Sequence, residues 1–175
     1  MTDASIIKKA KDIKLVIFDV DGVLTDGTIY IGNGELELKG FNAHDGQGIA
    51  LMTKSGIEVA IITARSSHAV IQRSRELGIK FVYQGQKNKV EAYENVQKKL
   101  NLEPNQIAYM GDDLPDIKLM KRSAIGATVN NGVSIVKENA DWISQFDGGR
   151  GAAREFAELL LKAQDRYDDI IQQYL

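Results

Sequence analysis

Short runs of β-branched, aliphatic and aromatic residues alternate with helix-patterned stretches along most of this 175-residue chain. Strands are expected at 15–18 (LVIF), 58–63 (EVAIIT), 80–85 (KFVYQG), 107–112 (IAYMGD), 124–129 (AIGATV) and 141–144 (DWIS). Helices are expected at 48–56, 66–78, 88–101, 114–123 and 133–139, with one long helix from 150 onward. Serines open the second helix, and Gly56 and Gly78 stand where two of them should stop. This alternation predicts an α/β fold of Rossmann-like type: a three-layer sandwich with a mostly parallel sheet between helices. In such a sheet, ligands meet the carboxyl ends of the strands. The residues at those ends are Asp19 and Asp21, then Thr63, then Asp112 and Asp113.

One segment departs from the alternation. Residues 28–41, TIYIGNGELELKGF, alternate apolar and polar side chains around Asn33-Gly34, a strong hairpin signal. With those two residues as the turn, Ile31 should face Leu36 and Ile29 should face Leu38, all on one side of the ribbon. A lone two-stranded hairpin is marginal in water, so this apolar face is expected to pack on the body of the domain or on another chain. The two prolines, Pro104 and Pro115, mark no boundary, and a single domain over 1–175 is expected, with the hairpin at about 28–41 and a C-terminal loop and helix at about 147–175.

Composition narrows the classes. Apolar residues are 43% and charged residues 26%, a globular balance. The net charge of −2 offers no electrostatic footprint for nucleic acid. There are no cysteines, which removes disulfides and thiolate metal sites. No apolar run approaches the ~18 residues of a membrane span. The first residues, MTDASIIKKAKDIK, lack the apolar core of a signal peptide, so a cytoplasmic protein is expected.

The strand-end aspartates need a reason, because carboxylates repel and are costly to desolvate. Side chains alternate along a strand, so Asp19 and Asp21 would converge on one spot, where a hard cation such as Mg²⁺ would hold them. A solvated Asp-Gly turn is the plainer explanation. The stretch 111–116, GDDLPD, should reach the same edge of the sheet. A helix cap accounts for one of its aspartates, not for three in five residues. Thr63 ends another strand and could equally cap the helix that follows. Lys89 stands in the first turn of a helix, where a cation opposes the helix dipole and suggests a nearby anion; Lys87 is its rival.

In that order, an aspartate pair, a hydroxyl, a lysine and an acidic cluster resemble the haloacid dehalogenase superfamily of phosphotransferases. Residues 19–25 (DVDGVLT) look like its first motif, Thr63 its second, Lys89 its third, and Gly111, Asp112, Asp113 and Asp116 its fourth. The resemblance implies that Asp19 is a nucleophile forming an aspartyl-phosphate, and that Asp21 is the general acid and then the base. It implies Mg²⁺ held by Asp19, the backbone carbonyl of Asp21, and Asp112. Thr63 and Lys89 would hold phosphate oxygens, with Lys89 also restraining Asp19.

Only forty-one residues separate Asp21 from Thr63, and no large insert follows Thr63, so the resemblance is to capless members. Nearly the whole chain resembles capless phosphatases of a phosphorylated sugar acid in bacterial lipopolysaccharide precursor synthesis. That resemblance implies a homotetramer assembled through the hairpins. It also implies substrate contacts at Asn42, Ala43, His44, Asp45, Gly46, Arg65, Arg73 and Lys89. The family pattern often has arginine at the position of His44 and a basic residue at that of Ala50, which implies a less positive sugar end here. His44 could also be a loop residue without a role. Arg65 and Arg73 are eight apart, could share a helix face, and suit carboxylate or phosphate recognition; surface ion pairs are the alternative. His68 reads as a surface residue and Trp142 as a core one.

Residues 146–156, FDGGRGAAREF, place three glycines around Arg150. They read as a mobile loop that carries Arg150 over the substrate, or as a flexible helix entry, and the resemblance implies that this C-terminal segment reaches the site of a neighbouring subunit. Besides a non-catalytic oligomeric scaffold, against which the intact Asp19, Asp21, Lys89 and Asp112 argue, two other functions compete with this one. One is a phosphatase for a related acidic sugar, such as a nonulosonate 9-phosphate. The other is a phospho-receiver module, whose phosphorylated aspartate on the third strand has no counterpart in EVAIIT.

Overall fold

The computed structural model describes residues 4–34 and 37–175. Six strands form one parallel sheet: β1 (Leu15–Phe18), β4 (Glu58–Ile62), β5 (Phe81–Tyr83), β6 (Ile107–Met110), β7 (Ile125–Thr128) and β8 (Trp142–Ile143). Their spatial order is β5-β4-β1-β6-β7-β8. The order reverses at β1, which pairs with β4 on one side and β6 on the other. The topological switch point, where such sheets bind ligands, therefore lies at the end of β1.

Side chains of β1 alternate between two cores. Val16 and Phe18 join Val59, Ile61 and the apolar faces of α1 (Ala4–Ala10), α2 (Ala43–Lys54) and α7 (Ala152–Ala163). Leu15 and Ile17 join Ala60 and Ile62, packed beneath α4 (Lys89–Leu100) and α5 (Ile117–Arg122). Strands buried on both faces read as unbroken apolar runs, which is the LVIF and EVAII pattern. Each such Leu, Ile or Phe, fully buried, contributes about 1.5–3 kcal/mol of transfer free energy.

Beyond shifts of a few residues at element ends, three helices differ from the sequence expectation. Helix α2 begins at Ala43, not Gly48, because the Asn42 side chain caps it, accepting from His44 N (2.7 Å) and Asp45 N (3.3 Å). His44 is thus in a first helical turn. The C-terminal helix is two helices, α7 and α8 (Tyr167–Ile171), because Asp165 takes a left-handed backbone, φ +54°, between them. The segment α1 was not legible as a helix, and it packs on α7 through Ile6 and Ala10.

The hairpin is present as β2 (Tyr30–Ile31) and β3 (Glu37–Leu38), but its register is one residue from the expected one: Tyr30 pairs with Leu38 and Ile31 with Glu37. A slip of one moves every side chain to the other face. Ile31 and Leu38 therefore stand on opposite faces, and the single apolar face does not form. Leu36, the expected partner of Ile31, lies outside the described residues. Ile29, Tyr30, Ile31 and Leu38 are all exposed, Ile31 to 80%.

Candidate active site

Phe18 is in register with Ile61 of β4 and Met110 of β6, so Asp19, Thr63 and Asp112 leave the sheet at one edge. Asp19 still extends the ladder, donating its N–H to Met110 O (3.0 Å). The chain then turns sharply, with the amides of Val23, Leu24 and Thr25 all directed at Val20 O. Strand alternation ends there, and this corrects the expected convergence of Asp19 and Asp21. Their carboxylates have separate partners.

The Asp19 carboxylate accepts from Val20 N (2.7 Å) and lies 2.8 Å from Lys89 Nζ. Lys89 is buried against this carboxylate, whereas its rival Lys87 is exposed. The same Nζ is 2.7 Å from Asp116 Oδ1, which also accepts from the Tyr109 hydroxyl at 2.6 Å. The other oxygen of Asp116 accepts from the amides of Asp112 (3.1 Å) and Asp113 (3.2 Å). Asp116, fully buried, therefore shapes the turn that presents Asp112. Asp113 is the cap, its Oδ1 accepting from Leu114 N at 2.7 Å.

Oxygens of Asp19, Asp112 and Asp116 lie within 4.8 Å of one another. Against these three carboxylates stands one lysine. Burial first, then Asp116, pushes the Asp19 carboxyl up to about 6, although Lys89 pulls the other way. Burial, then Asp19, Asp116 and Asp113, pushes Asp112 up to about 7. Burial alone would lower Lys89, but Asp19 and Asp116 outweigh it and raise the lysine. The Asp112 Oδ1 is buried and has no hydrogen-bond partner. Asp116 is saturated by Lys89, Tyr109 and two amides, so Asp19 and Asp112 are the oxygens free to take a cation. An orphaned buried oxygen, an excess of carboxylate and all-oxygen donors fit a hard divalent ion. Gly22 makes room: a β-carbon there would fall 2.1 Å from Asp112 Oδ2. The Asp21 side chain does not join this cluster. It is ion-paired with Lys39, and Arg65 Nε is 3.9 Å away.

Thr63 is buried at the end of β4, its N–H on Tyr83 O (2.9 Å). It precedes the helix cap, which is Ser67 of α3 (His68–Glu76). Arg65 lies before that helix and Arg73 within it, so the two do not share a face. Arg65 pairs with Glu37 (2.5 Å), whereas Arg73 lies over α2, where a β-carbon on Gly46 would be 2.1 Å from its Nη2. The Asp45 carboxylate is buried and turned inward, accepting from Gly151 N (3.2 Å) and Arg154 N (2.9 Å) at the start of α7. Burial raises its pKa despite those amides. This is a structural use of a residue expected at the substrate. Asn42 reaches the same segment, donating to Gly149 O (3.2 Å). Ala43 and His44 are exposed, and His44 lines an open cleft of ≈ 460 Å³ with Phe146, Arg150 and Arg154. Arg150 is 69% exposed and 3.8 Å from Asp26. His68 is exposed, and Trp142 stacks at a tilt on Phe156, ring centres 5.1 Å apart. Sequence reasoning missed Tyr109, Glu37 and Lys39; nothing in their spacing marks them.

Residues 81–155 match the family of haloacid dehalogenase-like hydrolases. Over 166 residues the chain is 46% identical to the 3-deoxy-D-manno-octulosonate 8-phosphate phosphatase KdsC of Escherichia coli K12, covering 95% of this chain and 88% of that one. The chain belongs to this family of haloacid dehalogenase-like phosphatases. Solved members of the family superpose closely. The phosphatase of Moraxella catarrhalis, in complex with magnesium, phosphate and KDO, is 44% identical with TM-score 0.95, over 97% of this chain and 98% of that one. The cobalt-bound phosphatase of Haemophilus influenzae is 36% identical with TM-score 0.87, over 91% and 93%.

Proposed function

We propose that this chain is an Mg²⁺-dependent phosphatase that hydrolyses 3-deoxy-D-manno-octulosonate 8-phosphate to the free sugar acid and phosphate. The observation that carries this reading is the Asp19–Lys89–Asp112 arrangement, in a fold 44% identical to a phosphatase holding magnesium, phosphate and that sugar acid. Lipopolysaccharide precursor synthesis in the cytoplasm is the corresponding place in the cell. No helix among the described residues is long and apolar enough to cross a membrane. The catalytic unit is one domain over 1–175, working as a homotetramer built through the hairpins.

Asp19 attacks phosphorus, and the bond from phosphorus to the sugar oxygen breaks. Asp21 gives that oxygen its proton. Water then attacks the aspartyl-phosphate, Asp21 takes the proton from it, and the bond from phosphorus to Asp19 breaks. Asp19, Asp112 and the Asp21 carbonyl would hold Mg²⁺, which supplies charge compensation at the phosphoryl oxygens when bound. Lys89 holds Asp19 and, with Thr63, the phosphate. Arg73 and the 42–46 segment orient the sugar acid, Asn42 and Asp45 by tying that segment to the start of α7.

Phosphate release from a panel of sugar phosphates, with and without Mg²⁺, tests the reading. Preference for the octulosonate ester with loss on chelation is expected. Because His44 and Ala50 stand where a basic residue is common, the panel includes a nonulosonate 9-phosphate, and preference for it would reassign the substrate.

A further inference from the structure

Lys39, at the base of the hairpin, has a side chain only 1% exposed. Its Nζ donates to Asp21 Oδ1 and lies 3.3 Å from Glu37 Oε1. Glu37 in turn accepts from Arg65 Nη2 at 2.5 Å, and Arg65 returns to Asp21 at 3.9 Å. Four charged side chains close a ring that joins the hairpin, the turn after β1 and the loop after β4. Removing a lysine from water is costly unless carboxylates repay it, and here two do. Among the described residues, Lys39 and Arg65 are the partners of the Asp21 carboxylate. The turn carries Asp21 beyond the last residue of β1, so the sheet does not orient it.

We propose that Lys39 is a positioning residue that aims the Asp21 carboxylate, with Glu37 as its brace. The hairpin is then part of the catalytic machinery as well as an exposed arm. This rests on the reading of Asp21 as acid and base. A misaimed Asp21 fails most visibly in the second half-reaction, where it must draw a proton from water, so the aspartyl-phosphate should accumulate.

The test compares Lys39→Met, Lys39→Arg, Glu37→Gln and Asp21→Asn in the full chain, with the octulosonate ester and Mg²⁺. Turnover, KM, acid-quenched phosphoenzyme and sedimentation are measured together. Lys39→Met should lower kcat by about tenfold or more, leave KM within about threefold, and raise the phosphoenzyme fraction, with assembly unchanged. Lys39→Arg should restore part of kcat, and Glu37→Gln should fall between. A Lys39→Met enzyme within about twofold of the parent would overturn the proposal. So would a fall in kcat with no rise in phosphoenzyme. If Lys39→Met does not fold, Lys39→Gln is judged by the same two criteria. Near-parental turnover in Asp21→Asn would instead remove the acid–base reading beneath it.

Discussion

Gly148 packs so closely on Gly22 that a β-carbon on the first would lie 1.7 Å from the carbonyl oxygen of the second. Its neighbour Gly149, φ +64°, donates to Val23 O at 2.8 Å. Gly148 and Gly149 thus serve close approach to the turn that follows Asp19. Gly148→Ala should push that turn away. A loss of about 2–4 kcal/mol is expected by chemical denaturation, with a fall in turnover, since overpacking against backbone has no side chain to absorb it. Parental stability would show that the two segments can separate freely.

Tyr109 and Lys89 share Asp116 Oδ1. The phenol is fully buried, and burial together with Asp116 and Asp19 raises its pKa well above the ordinary value, so it stays a donor. Without the hydroxyl, Asp116 would draw more of Lys89 away from Asp19. Tyr109→Phe should cost about 1–3 kcal/mol of stability and lower kcat several-fold with little change in KM. Steady-state kinetics beside a denaturation curve would separate the two effects, and unchanged kcat would confine Tyr109 to packing.

The carboxyls of Asp19 and Asp112, raised to about 6 and about 7, make a prediction about metal and pH. In the unfolded chain aspartates titrate near 3.9, so the folded protein holds these protons more tightly. Between about pH 4 and 7 the metal-free fold is the more protonated state, and its stability should fall as pH rises, the loss being complete above about pH 7. A bound cation favours the ionised form and offsets the loss. Mg²⁺ should therefore raise Tm by more at pH 7.5 than at pH 5, by several degrees. An equal Mg²⁺ shift at both pH values would mean that these carboxyls do not hold it.

What was legible in the sequence was local and periodic. The LVIF and EVAII runs and the helix caps announced the sheet, and motif spacing brought Asp19, Lys89 and Asp112 to one edge. What escaped depended on contacts between distant segments. The turn after Phe18 separates Asp19 from Asp21, although alternation alone would pair them. The hairpin register slipped by one, because a two-residue turn was assumed from Asn33-Gly34. Nothing in the hairpin's pattern marks Lys39, yet its side chain is buried against Asp21 and Glu37. The inward turn of Asp45 is equally invisible without α7, whose first amides it holds.

The hairpin offers a direct test of assembly. With Ile29 just ahead of β2, Ile31 on it and Leu38 on β3, both faces of the hairpin expose apolar side chains, which the proposed tetramer would bury. Ile31→Lys should dissociate the proposed tetramer, and sedimentation would read it. Parent protein sedimenting as a monomer at micromolar concentration would end the proposal.

Arg150 gives the last prediction. Its guanidinium is exposed and 3.8 Å from Asp26, a surface pair screened by solvent, so it is free to leave. It lines the cleft beside His44 and Arg154, on a segment anchored by its glycines. In the proposed tetramer such a cation would reach the anionic substrate of a neighbour and complete a site that has no cap. Arg150→Ala should then raise KM and lower kcat together, because binding and closure both lose a charge. Mixing Arg150→Ala chains with Asp19→Asn chains distinguishes action on a neighbour from action at home. Neither homotetramer would turn over well, but a mixed one pairs an intact Asp19 with an intact Arg150 from the other chain. Recovery of activity after verified subunit exchange is the expected result. Activity that stays at the level of the separate variants at every ratio would return Arg150 to its own subunit.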